Sequence, residues 1–596
     1  MSEIKRIFGR IREGRLKELT TQWMWMYVYV RRYWWLIAIY TALGSMGSFL
    51  GLGTSIVSRD LVDAVTGSSG GKILEAAVFY VGVGVSQIFV NLIKGRISLR
   101  IRLKITNEIR EDIYSQILHT DWASLSGYRT GDFLYRVNGD AGIVSGNILN
   151  FIPNLVSICI SFGGAFLVMI QNDPWMALIA LAGAPVTFLS SRRTTKKMRA
   201  YQSRNQNVAT DKMAFDQETF QNLQIIKAFG LVECFTGKLH QIQKESMDMA
   251  MAQNKFQSGT MVLNSLIGQL VGYLCYGFAI FRLWRGDITY GTMTMFVSMA
   301  ASLRGSFNAI IGLLPTVVRV GTSVERIMEM VNLPREETQD NQEAENIRKE
   351  AKESGVEVRM EQVTFQYEEG RPVYQGADFM ARPGEIVVLI GPSGQGKTTT
   401  LRLFLSLFHP VKGSVTVANP QKDPIKTSAS TRRLFSYVPQ GNTMFTGTIA
   451  ENMRLIKPEA TDDEIRQALE TACAWEFVKE LPNGIDTQMR ERGQRFSEGQ
   501  NQRLSIARAI LADAPVILLD EATSALDIRM EKRLLSQILK RDPCRTVIAV
   551  THRPSVFSMC NRIYRMEDGA MKELSKQEID LLSKEAYQID RERNLA

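Results

Sequence analysis

Six long apolar runs dictate what the first half of this chain can become. Tyr33–Ser58, Ala76–Ile93, Ala141–Asn172, Pro174–Ser191 and Phe256–Phe281 contain no Asp, Glu, Lys or Arg, and Ile288–Val318 contains only Arg304. A bilayer core of about 30 Å takes about 20 apolar residues as a helix. Inside lipid the backbone must satisfy its own hydrogen bonds, which a helix does. The expectation is an all-α transmembrane domain over 1–333 with six spanning helices. The connections after the first, third and fifth runs are short. Those after the second and fourth, Lys94–Asp140 and Arg192–Lys255, are long and basic. Basic loops stay in the cytoplasm. Lys5, Arg6, Arg10 and Arg12 agree, so both termini are expected there, in a multi-pass protein of the cell membrane. The long loops are expected to extend the spans as helices and to turn near 121–127 and 215–221.

Residues 13–32 mix Arg and Lys with Trp and Tyr, the pattern of a helix lying in the membrane interface. No cleavable leader is expected, because the first long apolar run starts only at Tyr33. Pro153, Pro185 and Pro315 fall inside spans and predict kinks. Arg304 is a charge at membrane depth. It either lines a substrate path or pairs and snorkels locally. The net charge of +10 flanks apolar runs, which points to a membrane surface and away from nucleic acid. The six cysteines show no CxxC spacing and read as reduced thiols.

Beyond the last run the composition changes. Residues 334–355 are charged and poor in apolar side chains, and read as a linker. Residues 356–580 alternate short β-rich runs with helical stretches, the pattern of an α/β domain, and 581–596 form a charged tail. The sequence Gly391-Pro392-Ser393-Gly394-Gln395-Gly396-Lys397-Thr398, followed by Thr399, sits between a strand-like and a helix-like run. In that setting GxxxxGK[ST] is a phosphate-binding loop: N–H groups and the positive helix end face phosphate oxygens. Lys397 reaches the terminal phosphates and the Thr398 hydroxyl can ligate Mg²⁺. Val516-Ile-Leu-Leu-Asp520-Glu521 buries an apolar strand and delivers two carboxylates at its tip. Asp520 is placed to hold Mg²⁺ and Glu521 to polarise the attacking water.

The stretch Arg495-Phe496-Ser497-Glu498-Gly499-Gln500 resembles the signature region of ATP-binding-cassette proteins. Other residues match the family in order. Tyr367 resembles the aromatic that stacks on adenine. Gln440 resembles the Q-loop residue that senses Mg²⁺. Thr487–Gly493 resembles the exporter X-loop, Ser524–Asp527 the D-loop, and His552 the switch histidine. Six spans ahead of one such domain resemble an exporter-type half-transporter. The resemblance implies an ATPase coupled to transport, with ATP and Mg²⁺ as cofactors. It also implies a second half-transporter as partner, since each ATP lies between one chain's phosphate loop and the other's signature. Alternating access would then export a small molecule, lipid or peptide. Import of metal–siderophore complexes and an ATP-gated channel or regulatory membrane protein remain alternatives. Nucleic acid is not expected as a partner. One departure stands out: Glu498 replaces the first glycine of the usual signature. It is either a tolerated variant or the mark of one half of a heterodimer.

Overall fold

The computed structural model describes residues 15–67, 73–181, 184–336, 341–367, 370, 372–420, 422–441, 443–489, 496–551 and 553–582. Two compact units emerge, one of residues up to Pro334 and one from Arg335 onward together with Asp121–Ala123.

The first unit is helical. In order, its helices are α1 (Arg15–Arg32), α2 (Trp34–Val65), α3 (Ile73–Leu118), α4 (Trp122–Leu125, grouped in part with the second unit), α5 (Thr130–Tyr135), α6 (Ala141–Asn172), α7 (Pro174–Leu181), α8 (Ala184–Gln221), α9 (Leu223–Ala228), α10 (Val232–Trp284) and α11 (Tyr290–Val331). Among the described residues four helices are long and apolar enough to cross a membrane: α2, α3, α6 with the turns before it, and α10. The fourth expected span, 174–191, lies partly outside the described residues. Outward faces explain why lipid is needed. On α3, Val78, Phe79, Val81, Ile88, Phe89 and Leu92 are all exposed, an apolar surface that water would penalise. Further along the same helix Ile101, Ile105, Ile109 and Ile113 are buried. Their spacing of four is one helical face, packed on Val144 and Ile148 of α6 and on Val320, Val324 and Ile327 of α11.

The helix α3 runs unbroken through Lys94 to Leu118, the helical extension expected of the first long connection. The second long connection turns at Asn222 and again at Phe229–Leu231, where Gly230 has a φ of +64°. Residues 215–221, expected to hold the bend, are helical; the glycine, free to adopt a left-handed backbone, marks where the chain reverses.

A π turn, Arg136–Asp140, joins α5 to α6. The Asp140 side chain is fully buried. Its Oδ1 accepts from Ser323 Oγ at 2.9 Å and its Oδ2 pairs with Arg326 Nε at 3.3 Å, both on α11. Arg136 Nη1 donates to Glu329 at 2.9 Å. These two partners offset part of the hydration that such a buried carboxylate loses.

The second unit opens on α12 (Asn341–Ser354), inside the segment read as a linker. Ala344, Ile347 and Ala351 are buried along one face, Arg348 Nη2 donates to the Ala512 carbonyl at 3.3 Å, and Lys422 Nζ donates to Glu350 at 2.6 Å. The segment is part of the α/β unit. A four-stranded antiparallel sheet has the order β2 (Tyr374–Ala381), β1 (Glu357–Phe365), β4 (Lys412–Ala418), β5 (Ile425–Lys426). A six-stranded sheet also includes β3 (Ile386–Ile390), β6 (Phe435–Val438), β9 (Val516–Asp520), β10 (Thr546–Val550), β11 (Arg562–Glu567) and β12 (Ala570–Glu573), in the order β12-β11-β3-β10-β9-β6. Only β12 is antiparallel to its neighbour. β7 (Gly447–Thr448) and β8 (Gln488–Met489) pair separately. β3, β9 and β10 are buried at every position, as a sheet covered on both faces requires.

Candidate active site

Parallel pairing puts the carboxyl ends of four strands in one row. Leu389 pairs with Val550, Val550 with Asp520, and Leu519 with Val438. The loops leaving these strands are therefore gathered along one edge, the usual ligand edge of an open α/β sheet. After β3 comes the loop Gly391–Gly396, after β6 Gln440, and at the end of β9 Asp520 and Glu521. His552, two residues after β10, lies outside the described residues.

The loop leads into α13 (Lys397–Phe404) through Gly396, which has a φ of +94°. A Cβ there would lie 2.4 Å from Val373 Cγ1 and 2.6 Å from the Tyr374 hydroxyl, so only glycine fits. Gly391, with a φ of +146°, passes as closely: its Cβ would sit 2.3 Å from the Met566 carbonyl. The buried Tyr374 hydroxyl bonds the Gly396 carbonyl and, at 2.8 Å, Thr400 Oγ1. No motif in the sequence announces this buttress. Pro392, Ser393 and Gly394 form the exposed rim, with Gln395 partly covered behind them.

Lys397 is buried, and its Nζ donates to the carbonyls of Gly391 at 2.7 Å and Pro392 at 2.8 Å. Burial pushes its pKa below the usual lysine value, against the pull of Glu521 and Asp520. Thr398 Oγ1 donates to Asp520 Oδ1 at 3.0 Å, and the Tyr437 hydroxyl donates to Oδ2 at 3.2 Å. Burial raises the Asp520 pKa, an effect the Thr398 and Tyr437 hydrogen bonds oppose. Thr398 and Asp520 together present the hydroxyl and carboxylate oxygens that a hard divalent cation takes. Among the described residues no cluster of three or more His, Cys, Asp or Glu could hold a metal. A cation here would thus depend on its ligand's own oxygens as well.

Glu521 stands just past β9 with a φ of +50°, left-handed for a side chain that rarely adopts it. Its N–H donates to the Val550 carbonyl at 3.0 Å, which holds that turn. Gln440 Nε2 donates to Glu521 Oε2 at 2.7 Å, so the two residues predicted to act on water and metal meet directly. Tyr367 is half-exposed, bonded through its hydroxyl to Thr399 Oγ1 at 2.9 Å and set edge-on to Phe365 and Phe408.

The signature residues form a separate cluster. Ser497 caps α17 (Glu498–Leu511, numbered after α14 Ile449–Arg454, α15 Asp462–Thr471 and α16 Trp475–Val478). Its Oγ accepts from the Gln500 N–H at 3.2 Å, and Gln500 Oε1 accepts from the Ser497 N–H at 2.9 Å. Glu498 is exposed in the first turn, where the helix dipole favours an acid. Phe496 packs against Phe477. A Cβ on Gly499 would lie 3.0 Å from the Ala525 carbonyl. Gln502 then ties this helix to the D-loop: its Nε2 donates to Ser524 Oγ and its Oε1 accepts from the Ala525 N–H, each at 3.0 Å. Asp527 caps α18 (Ile528–Arg541) through the Met530 N–H at 2.8 Å. Among the described residues no hydrogen bond joins Ser497–Gln500 to the phosphate loop of the same chain.

In the helical unit Arg304 Nη1 donates to the Gly268 carbonyl of α10 at 3.0 Å. It borders a cavity of about 280 Å³ that Asn264, Tyr273, Tyr276 and Phe307 also line.

A phosphate loop, a strand-end acid pair and a capped signature helix behind an outward-apolar helical unit define a membrane-bound ATPase of the cassette type. The family descriptions "ABC transporter transmembrane region" and "ABC transporter" match residues 37–307 and 374–524. The chain belongs to the ABC transporters: a multi-pass membrane protein with its ATPase domain fused behind the transmembrane region, as in exporter-type half-transporters. It is 26% identical over 89% of its length to the ATP-dependent lipid A-core flippase of Ralstonia nicotianae, of which it covers 89%. It is also 26% identical, over 91% of its length, to the serine protease/ABC transporter B family protein tagA of Dictyostelium discoideum, but spans only 30% of that longer protein. A bacterial Atm1-family ABC exporter with ATP bound shares the fold, with a TM-score of 0.81 and 20% identity over 95% of this chain and 98% of the other.

Proposed function

We propose that this chain exports a small molecule, lipid or peptide from the cytoplasm across the cell membrane, by alternating access, as half of a dimer fuelled by Mg·ATP. The observation that carries the reading is the contact of Gln440 with Glu521 beside the Thr398–Asp520 pair. Bound Mg²⁺ would draw charge from the phosphates, held by Thr398 and Asp520 with Gln440 alongside. Lys397 and the N–H groups of the loop Gly391 through Thr399, Pro392 having none, orient the triphosphate. Tyr367 offers its exposed ring to the base. Glu521 takes the proton of the attacking water, and His552 attends the terminal phosphate. Ser497, Gly499 and Gln500 lack a hydrogen bond to their own phosphate loop, which supports their service to the partner's nucleotide, with Ser524 and Asp527 bracing the contact. Arg304 borders a substrate path. The relative named as a lipid flippase favours a lipid among the possible cargoes.

Inside-out vesicles should accumulate cargo only with Mg·ATP, and EDTA should abolish both accumulation and ATP turnover. Uptake by intact cells instead would overturn the direction. Glu498 is a tolerated variant in a homodimer, or it marks a heterodimer, in which its carboxylate would oppose a triphosphate in the paired site; the heterodimer makes the sharper prediction. The purified chain alone should then hydrolyse ATP slowly and gain turnover on adding a second half-transporter. Robust turnover by the chain alone would assign it to a homodimer.

A further inference from the structure

The helical unit holds a second cavity, of about 380 Å³, between α2, α3, α6 and α11. Its size suits a ligand's head group, and its wall is unusual for membrane depth. Gln87, Asn91 and Lys94 reach it from α3, Ser157 from α6, and Ser298 and Ser302 from α11. On α3 the three lie at i, i+4 and i+7, one polar stripe along the end of the apolar run 76–93. Serines in spans commonly turn their hydroxyls back to the carbonyl four residues earlier, as Ser45 and Ser86 do here. Ser157 does not: its hydroxyl oxygen is buried and without a hydrogen-bond partner.

Lys94 converges on the same point. A Cβ on Gly44 would lie 2.8 Å from Ser157 Oγ and 3.5 Å from Lys94 Nζ. The absence of a side chain at Gly44 is what leaves room for both. Among the described residues Lys94 makes no salt bridge; its ammonium lies 5.4 Å from the centre of the Tyr40 ring. A π face steadies a cation without neutralising it, so the charge remains available. Ionisable groups at this depth are costly and serve a partner or a path.

We propose that this cavity binds an anionic, hydroxyl-bearing group, a phosphorylated or carboxylated polyol, of the transported substrate. Lys94 is the counter-ion and the serine and amide side chains are the hydrogen-bonding wall. The assignment rests on the transport function proposed for the chain. The chemistry is the same whether the group is a lipid head or a free solute.

The test is direct binding to the full-length protein in nanodiscs without ATP, so that failure of the pump reading leaves this result standing. The probes are lysophosphatidylinositol, zwitterionic lysophosphatidylcholine and free inositol 1-phosphate. The wild type should bind lysophosphatidylinositol more tightly than lysophosphatidylcholine. Lys94→Met should weaken the anionic probe roughly tenfold or more, the loss of one charge-assisted contact. Lys94→Arg, which keeps the charge, should restore it, and this separates a binding role from a folding defect. The same Lys94 dependence with inositol 1-phosphate identifies a free solute; its restriction to the lysolipid identifies a lipid head. Equal binding of the two lysolipids by the wild type, or unchanged affinity in Lys94→Met, refutes the assignment.

Discussion

Glu521→Gln lowers ATP turnover by about a hundredfold or more, the usual worth of a positioned general base, while ATP binding persists. The amide is nearly isosteric. It can still accept from Gln440, which now bonds the carboxylate at 2.7 Å, and the left-handed backbone at φ +50° is undisturbed. What disappears is the proton acceptor and one negative charge beside the phosphates. The closed, ATP-loaded dimer should therefore accumulate, visible as a persistent dimer of ATPase domains by cross-linking or size exclusion with Mg·ATP. Wild-type turnover in this variant would remove Glu521 from the role of base.

Lys397→Met should abolish nucleotide binding at ordinary concentrations, an affinity loss of about a hundredfold for two charge-assisted contacts. Lys397 is buried and bridges the carbonyls of Gly391 and Pro392. Its removal takes the cation from the phosphates and also unties the loop. Titration with a fluorescent ATP analogue reads the change. An unaltered dissociation constant would mean that the loop does not cradle phosphate as assigned.

The cassette fold was legible because its motifs carry their own context. Gly391–Thr398 between a strand and a helix, and four apolar residues ending in Asp520–Glu521, specify a parallel sheet with its ligand edge. The features that escaped were local. The segment 334–355 looked like a linker because composition was averaged over it. Ala344, Ile347 and Ala351 nevertheless fall at helical spacing and bury one face. The bend expected at 215–221 falls later, and Gly230 was its signal. Tyr374 and Tyr437 support the phosphate loop and Asp520 from positions that only three-dimensional pairing reveals.

The π turn at Arg136–Asp140 sets the angular phase of the segments it joins. One additional residue advances a helix by about 100°, so side chains before it face a different azimuth from those after it. Here Ser323 and Arg326 hold Asp140, so the shift in phase is anchored on α11 at one defined point.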